Sequence, residues 1–487
     1  MIKKMGFLLI VLGAGSILFF ILLDNFGLGN DRDTLGAAQF LGIEVGVFLI
    51  LVGVGFAIIK FGETQNIRGI IGNASERVLS LPPLFWITVT FLALYLLFFI
   101  SPMFFSKIKI QYFKDYISDA WAPRIGFDIE MTVSHINAWL VEGKSPYLDG
   151  IVPYTPLTLA IFTPFLILGY PQYFKLLALM SILSYIFAVL LIPVFLSHKK
   201  DYGIPILLGI IGLFSYGFQF ELERGQFNMI SFALCLVAIY IFHYHYKFRY
   251  FAYLIFSLAV QLKLYPAIFA IMLIRNWRDW KNNLRRMIGL GLFNFSLLFV
   301  LGHQIFLDFM KQVTNRQLFF QSSRLEDISI SGFTLFLSES NIEILSRNAN
   351  FIGTLMLLSI AAIILTVVIH LYRNEINGLN PYLLLICALG ALMIPTASID
   401  YKLPILVAPM IIMLNSLPTI EKPDKKIVLN IILIIISIAY WSTLYPLAVK
   451  PSLLSRNSPA LLTILVTTSL LYILVNGKFE NILAERD

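Results

Sequence analysis

Apolar segments of about 20 residues recur along the whole chain, and a helix of that length crosses a hydrocarbon core roughly 30 Å thick. Charged residues make up only 13% of the 487 residues, against about 25% in soluble domains. The sequence therefore predicts an all-α polytopic integral membrane protein. The candidate spans are roughly 5–23, 40–60, 82–102, 173–197, 203–219, 228–246, 287–306, 349–371, 378–397, 402–418, 427–446 and 459–476.

Three shorter apolar pieces, at about 154–169, 250–263 and 265–275, leave open whether the chain crosses the membrane there. A polar, Gly-rich segment, NFGLGNDRDTLGAAQ, joins the first two spans, and this pair resembles an appendage that precedes the main bundle. The domains expected from this pattern are an N-terminal pair of transmembrane helices at 1–60, a cytoplasmic linker at 61–81, and a main bundle at 82–487 with outer loops 103–153 and 307–348.

Basic residues cluster on alternate loops, and the positive-inside rule then places the N-terminus in the cytoplasm. The same rule accounts for the net charge of +8 without a nucleic-acid partner. This topology requires 154–169 to be re-entrant or bent, and 250–275 to return to the side it started from. Non-helical backbone at membrane depth is tolerated only against protein or a water-filled cavity. The topology therefore predicts a cavity near 154–170 and 262–266.

Charged residues then converge on the outer face. The run QFELERGQFN at 219–228 separates two apolar segments, and Lys263 interrupts FSLAVQLKLYPAIFAIML. A charge at membrane depth usually faces a cavity or a partner. Lys263 is therefore expected to contact a phosphate or a polar cavity, the alternative being a salt bridge to Glu221 or Glu223. The other cations expected on this face are Arg224, Lys402, Arg316 and Arg324.

The outer loop contains a predicted amphipathic helix from Asp128 to Val141. One apolar stripe joins Ile129, Val133, Ile136 and Leu140, and the adjacent stripe carries Asp128, Thr132, His135 and Trp139. Asp128 has two interpretations. It is either the N-cap of this helix, or a general base that removes the proton of a hydroxyl. Glu130 points to another side of the helix, and a lone histidine such as His135 is more often a packing residue.

These motifs together resemble the polyprenyl-phosphate-dependent glycosyltransferases of family 87, in the GT-C superfamily. The resemblance covers about 82–410 and rests on an Asp before a helix, followed by GKSPY, PYTPLTLAIFTPF, ERGQFNMISF, VQLKLYP and PTASIDYKLP. It implies a GT-C-type helix bundle whose large outer loop carries amphipathic helices. In the late turn, where many members have histidine, this chain has Asp400, Tyr401 and Lys402.

The resemblance implies an inverting, mannosyltransferase-like hexosyltransferase. Its donor would be a polyprenyl-phosphate sugar, and its acceptor a hydroxyl of a glycolipid, glycan or protein, on the non-cytoplasmic face of a prokaryotic plasma membrane. Asp128 is the expected base. The expected donor-phosphate ligands are Lys263, Arg224, Lys402 and Tyr401, and the expected substrate contacts are Glu130, His135, Tyr147, Tyr154, Gln226 and Asn228.

Two other functions remain open from the sequence: a lipid or sugar transporter or flippase, which also has broken helices and charges at membrane depth, and a non-catalytic scaffold. No P-loop or other nucleotide-binding motif is present, which agrees with a lipid-phosphate donor. No cofactor is expected, although a divalent ion held by carboxylates stays an alternative.

Overall fold

The computed structural model describes residues 125–147, 153–193, 203–213, 215–315, 327–340, 342–376, 378–418, 423–444, 457–475 and 477. Several predictions from the sequence lie outside these residues. They are the spans at 5–23, 40–60 and 82–102, the linker at 61–81, and the cations Arg316 and Arg324.

Contacts divide the chain into two compact units, Met1–Ile125 with Lys200–Ile210, and Gly126–Lys199 with Ile211–Asp487. The structure describes only Ile125 and 203–210 of the first unit, where residues 203–210 begin a helix that continues to Leu213. All the other described residues belong to the second unit.

The described residues form helices and no β-strand. Numbered along these residues, the α-helices are α1 Phe127–Glu142, α2 Pro156–Phe162, α3 Phe165–Leu168, α4 Gln172–Ile186, α5 Gly203–Leu213, α6 Tyr216–Arg224, α7 Asn228–Tyr244, α8 Arg249–Leu262, α9 Trp280–Leu297, α10 His303–Asn315, α11 Ile330–Ser338, α12 Glu343–Arg373, α13 Pro381–Met393, α14 Val407–Asn415, α15 Pro423–Leu444 and α16 Ser458–Leu474. A π-helical turn extends α4 to Leu191, and 3₁₀ segments cover Tyr246–Phe248, Tyr265–Leu273 and Asp400–Leu406.

Two of the described helices are long and apolar enough to cross a membrane, namely Gln172–Leu191 and Glu343–Arg373. A third crossing is possible if α6 and α7, which are bent by 110° at the break between them, count as one span. These helices associate the chain with a membrane and agree with the all-α class that the sequence predicts. The full polytopic bundle stays a prediction.

Helix α13 forms the centre of the described bundle, since every residue from Pro381 to Met393 is buried. It packs against α14, α16 and the two 3₁₀ segments Tyr265–Leu273 and Asp400–Leu406. A helix that is apolar on all sides is stable only when neighbours cover its whole surface. By contrast, α12 leaves Phe351 and Leu358 exposed, as expected of side chains that face lipid.

The predicted continuous span at 203–219 is wrong in one respect, because α5 ends at Leu213 and a new helix, α6, begins at Tyr216. Ser215 is the N-cap of α6, and its hydroxyl oxygen accepts a hydrogen bond from the backbone N–H of Phe218 at 3.3 Å. A serine side chain in this position satisfies one of the N–H groups that have no partner inside the helix, which favours a helix start here. The short segments predicted near 154–169 and 250–275 are also broken. Residues 154–169 divide into α2 and α3, and α8 ends directly before Lys263.

The bend between α6 and α7 depends on Gly225, whose φ is +67°. Its N–H donates to Leu222 O at 3.1 Å and the N–H of Gln226 donates to Glu221 O at 2.9 Å, which together form a Schellman motif. A Cβ at this position would also lie 2.7 Å from Cγ2 of Ile129 on α1. Only glycine meets both requirements, since it tolerates positive φ and has no side chain.

We predict that Gly225→Ala destabilises the protein by more than Gly143→Ala does. Gly143 has the same φ of +67°, but a Cβ there would meet nothing within 4 Å. The control should therefore lose only the cost of the left-handed backbone, about 1–2 kcal/mol, and Gly225→Ala about 1–3 kcal/mol more from the contact with Ile129. Thermal unfolding of the purified variants in one detergent measures both. Equal melting temperatures would show that α1 does not pack on the bend.

Candidate functional site

Two glycines bring the start of α1 against the end of α6. Gly126 N donates to Glu223 O at 2.6 Å, and a Cβ on Gly225 would lie 3.1 Å from Cα of Gly126. Asp128 lies two residues after the first glycine, while Arg224 and Gln226 flank the second. The close approach of the two backbones therefore places one carboxylate beside one guanidinium and one amide.

Asp128 is 6% exposed and is held by two donors. Arg224 Nη2 donates to Oδ1 at 2.7 Å, and Gln226 Nε2 donates to Oδ2. A buried carboxylate needs such charge-assisted bonds to offset the loss of water. The N-cap interpretation of Asp128 is wrong, because Gly126 occupies the N-cap position of α1 and no side chain caps this helix.

The other end of the Gln226 amide accepts a hydrogen bond from a cation. Lys263 Nζ donates to Gln226 Oε1 at 2.6 Å, and the hydroxyl of Tyr154 donates to the same oxygen at 3.4 Å. The reverse orientation of the amide would turn its NH₂ group toward the ammonium and its oxygen toward the carboxylate of Asp128, so only one orientation satisfies both partners. One amide thus connects a carboxylate on α1 to an ammonium after α8.

The Lys263 ammonium also lies over two aromatic rings, at 4.4 Å from the Tyr154 centroid and 4.3 Å from the Phe227 centroid. Such contacts stabilise a cation where water is scarce. The position of Tyr154 follows from its neighbour Thr155, whose hydroxyl donates to Gln261 O at 2.6 Å and ties the start of α2 to the last turn of α8. The hydrogen bond from Thr155 to Gln261 therefore helps to position both the Tyr154 ring and Lys263, which follow directly on these two segments.

Tyr147 supports this arrangement through the backbone of Tyr154. Its hydroxyl donates to Tyr154 O at 2.8 Å, and its ring lies 5.5 Å from that of Phe309. Burial raises the pKa of the Tyr147 hydroxyl above its usual range, so the phenol stays neutral and remains a donor. The structure thus gives Tyr147 a direct part in holding the Tyr154 backbone.

Two buried polar residues lie at the break between α6 and α7. Glu221 is fully buried, and its Oε1 accepts the backbone N–H of Met229 at 2.8 Å, which caps the start of α7. Asn228 is also fully buried, and neither atom of its side-chain amide has a hydrogen-bond partner among the described residues. Its backbone carbonyl accepts the Tyr265 hydroxyl at 2.8 Å. Asn228 therefore has side-chain hydrogen-bonding capacity available for a ligand or water.

The late turn with Tyr401 and Lys402 lies beside α6. The Tyr401 ring is 5.7 Å from that of Phe220, one helical turn before Arg224. Lys402 Nζ donates to Ala397 O at 3.4 Å, a hydrogen bond that stays within the turn. The structure therefore brings Tyr401 to the helix that carries Arg224.

Two residues that the sequence analysis did not select fix this late turn. Asp327 Oδ1 accepts the N–H groups of Ser329 at 2.9 Å and Ser398 at 3.1 Å, and an isolated antiparallel bridge joins Asp327 to Ile399. Asn457 Nδ2 donates to Asp400 Oδ1 at 2.9 Å. No local pattern marks either residue, because each contacts a turn that is more than fifty residues away in the chain.

Glu130 and His135 lie on α1 beyond Asp128 and are half-buried. His135 Nδ1 shares a hydrogen bond of 2.7 Å with Met131 O of its own helix. On the apolar stripe of α1, Ile129, Val133 and Ile136 are buried, whereas the predicted fourth member, Leu140, is 48% exposed. The buried residues of the helix thus lie between Asp128 and Ile136, and its last turn is exposed.

No three His, Cys, Asp or Glu side chains come together as a metal site in the part of the chain that the structure describes. The expectation that no cofactor is needed stays a prediction. A cavity of about 410 Å³ is lined by none of Asp128, Arg224, Gln226 and Lys263. It lies between α9 and the end of α12, and is lined by Ile274, Trp277, Trp280, Asn283, Leu284, Met287, Val368, Ile369 and Tyr372.

In the comparison with protein families, residues 153–396 match the family described as glycosyltransferase family 87. No curated protein and no solved structure matches the chain. The matched segment contains Tyr154, Arg224, Gln226, Asn228 and Lys263. Asp128, Glu130, His135 and Tyr147 precede it, and Tyr401 and Lys402 follow it.

Proposed function

The chain belongs to glycosyltransferase family 87 and is therefore a glycosyltransferase, and we propose that its donor is a sugar linked to polyprenyl phosphate. The observation that carries this proposal is the Gln226 amide, which holds the Asp128 carboxylate and the Lys263 ammonium at its two ends. Transfer from a lipid phosphate requires one base for the acceptor and one cation for the leaving group. Asp128 is the proposed base and Lys263 the proposed cation, and the side chain of Gln226 forms a hydrogen bond with each of them.

In the proposed reaction, Asp128 takes the proton of the acceptor hydroxyl while the acceptor oxygen attacks the anomeric carbon. The bond from that carbon to the phosphate oxygen breaks, and its electron pair leaves with the polyprenyl phosphate. One displacement of this kind inverts the anomeric configuration. Lys263 stabilises the departing charge, and Arg224, Tyr401 and Lys402 are proposed as further phosphate ligands. Because phosphate is a weakly basic leaving group, stabilising its charge matters more than protonating it.

The resting hydrogen bonds of Asp128 are compatible with its action as a base. An ionised carboxylate offers about four lone-pair sites, and Arg224 and Gln226 occupy one on each oxygen. A guanidinium carries five N–H groups in a planar fork, a geometry suited to carboxylate and phosphate groups alike. We therefore propose that Arg224 holds the base and contributes to the phosphate site.

Asn228 is the proposed substrate contact with the strongest structural support, because its buried side-chain amide has no hydrogen-bond partner among the described residues. Glu130, His135, Tyr147 and Tyr154 are proposed to line the acceptor side. Gln226 is proposed to form a hydrogen bond to the substrate while it keeps its hydrogen bonds with Asp128 and Lys263. The acceptor is proposed to be a hydroxyl of a glycolipid, glycan or protein, and the transferred sugar a hexose such as mannose. Membership of a transferase family does not favour the transporter or flippase.

We predict that Asp128→Asn lowers the turnover of sugar transfer by at least about 100-fold, because positioned base catalysis contributes typically 10²–10⁴-fold. The matched control is Glu142→Gln, which also changes a carboxylate to an amide, at the exposed end of α1. It should stay within about threefold of wild type, since an exposed surface change away from the chemistry has small effects. The measurement is transfer from a polyprenyl-phosphate sugar by purified protein.

Melting temperatures of both variants accompany this assay, because Asp128→Asn also removes the partner of Arg224. Activity is compared per folded molecule at a temperature where each variant is native. A folded Asp128→Asn variant with more than about a tenth of wild-type turnover would show that Asp128 is not the base. In that case Glu130→Gln is the next variant to measure, and a loss of at least about 100-fold in it would move the base to that residue.

We also propose that the site faces the non-cytoplasmic side and that α9 begins on the cytoplasmic side. Lys144, just after α1, and Lys281, on α9, are both exposed, and the natural Cys235 and Cys387 are buried. In intact cells, a membrane-impermeant maleimide should label Lys144→Cys but label Lys281→Cys only after permeabilisation. Labelling of both positions from the same side would overturn this topology.

A further inference from the structure

The cavity of about 410 Å³ separates the first half of α9 from the last two turns of α12. On α9 its lining side chains are Trp280, Asn283, Leu284 and Met287, whose spacings of three and four residues place them on one face of the helix. On α12 the lining comes from one turn, between Val368 and Tyr372. Ligand sites in proteins usually have volumes of roughly 300–1,000 Å³. The cavity therefore has room for a small ligand or for one chain of a larger one.

The cavity has a buried side and an exposed rim. Trp277 and Asn283, on the buried side, are 8% and 6% exposed. At the rim, Trp280, Leu284 and Tyr372 are 57%, 51% and 48% exposed. Every lining side chain except Asn283 is aliphatic or aromatic. An apolar chain can thus enter from the surface of the protein and bury one end.

Both helices change from charged to apolar at the cavity. Three basic residues lie in the first two turns of α9: Lys281, Arg285 and Arg286. No charged residue follows from Met287 to Leu297. Likewise, α12 has no Lys, Arg, Asp or Glu from Asn348 to Tyr372, and it ends at Arg373. Basic residues flank the apolar part of a membrane helix, and Trp and Tyr are enriched at the headgroup level. The cavity therefore lies where a membrane lipid changes from headgroup to acyl chain.

Two polar groups of the cavity suit such a lipid. At the rim, Lys281 Nζ lies 5.8 Å from the centroid of the Trp280 ring. On the buried side, the indole N–H of Trp277 has no hydrogen-bond partner among the described residues. A buried indole N–H usually has an acceptor, and the ester carbonyl of a phospholipid is one. The spacing of an ammonium at the rim and a donor further inside matches the order of phosphate and ester in a phospholipid.

The two carboxylates close to this end of α9 have partners other than Lys281. Asp279 Oδ1 accepts a hydrogen bond from Asn282 Nδ2 at 2.7 Å, and Glu375 pairs with Arg278 at 2.7 Å. The second pair joins the segment before α9 to the segment after α12, so it also holds the two sides of the cavity together.

We propose that the cavity binds one acyl chain of an anionic phospholipid. The chain lies between Met287 and Val368, the phosphate contacts Lys281, and the Trp277 N–H donates to an ester carbonyl. A bound lipid would fill the space between α9 and α12 with apolar contacts. The site does not depend on the proposed glycosyltransferase reaction.

The test is native mass spectrometry of the full chain released from detergent, titrated with phosphatidylglycerol and with phosphatidylcholine of the same acyl chains. The wild type should bind one phosphatidylglycerol molecule about fivefold more tightly than phosphatidylcholine, as one contact to a charged group predicts. Lys281→Gln should remove this preference and leave the affinity for phosphatidylcholine within about twofold. The matched control is Lys311→Gln, which removes the same charge from an exposed position on α10 and should change neither affinity more than about twofold.

The cavity itself is tested by filling it. Val368→Phe should weaken the binding of both lipids at least about tenfold, because each buried CH₂ of a lipid chain contributes about fourfold to affinity. The matched control is Leu365→Phe, which enlarges an exposed side chain one turn earlier on α12 and should have less than about a twofold effect. Trp277→Phe, which keeps an aromatic ring but removes the N–H, should weaken both lipids about threefold.

The proposal is overturned if Val368→Phe binds phosphatidylglycerol as tightly as Leu365→Phe does, or if the wild type binds both lipids equally. A dimer of the chain that Val368→Phe dissociates would also overturn it, since a second copy would then occupy the cavity. Melting temperatures without added lipid show which variants are folded. Lys281→Gln changes an exposed side chain, and it provides the test if Val368→Phe does not fold.

Discussion

The Gln226 amide is the constraint on which the candidate site depends. It donates to a carboxylate and accepts from an ammonium, so it separates two opposite charges that would otherwise pair directly. A direct Asp128–Lys263 salt bridge would occupy the ammonium that is proposed to bind the phosphate. An amide has one donor end and one acceptor end, so it can bond both side chains and keep them apart. Arg224 is the cation that pairs directly with Asp128, at 2.7 Å.

The backbone around Gln226 makes this position rigid. The Schellman motif at Gly225 fixes the direction in which α6 ends, and the Gln226 carbonyl accepts the Ser181 hydroxyl at 3.2 Å. The break therefore has its own hydrogen-bond partners, which non-helical backbone at membrane depth requires. The same break ends α6 at Arg224 and begins α7 at Asn228. One turn therefore determines where several polar groups of the site lie.

Much of the local structure follows from sequence patterns, because those patterns act over a few residues. The periodicity of Ile129, Val133 and Ile136 predicts α1, which extends from Phe127 to Glu142. Pro266 predicts the interruption near Lys263, since proline cannot donate to a helix and restricts the residue before it. The family resemblance likewise rests on short motifs, spread over about 82–410, and the family match covers 153–396. It names Arg224, Gln226 and Lys263 but not the contacts among them.

The contacts themselves could not be predicted, because they join segments that are far apart in the chain. Gln226 meets Asp128 across 98 residues and Lys263 across 37. Asp128 illustrates the difficulty. Its position near a helix start is typical of a cap, yet the positive φ of Gly126 begins the helix and Arg224 takes the carboxylate. The hydrogen bond that Asp327 accepts from the backbone N–H of Ser398, 71 residues away in the chain, has the same origin in tertiary packing.

The measurement that tests the central claim most directly is the affinity of purified protein for a polyprenyl phosphate without its sugar. If Lys263 binds the phosphate and Asp128 acts only on the acceptor, Lys263→Gln should weaken binding at least about tenfold, the loss of one charged hydrogen bond. Asp128→Asn should bind as tightly as wild type. Wild-type affinity in a folded Lys263→Gln variant, or equal losses in both variants, would contradict this division between the base and the phosphate site.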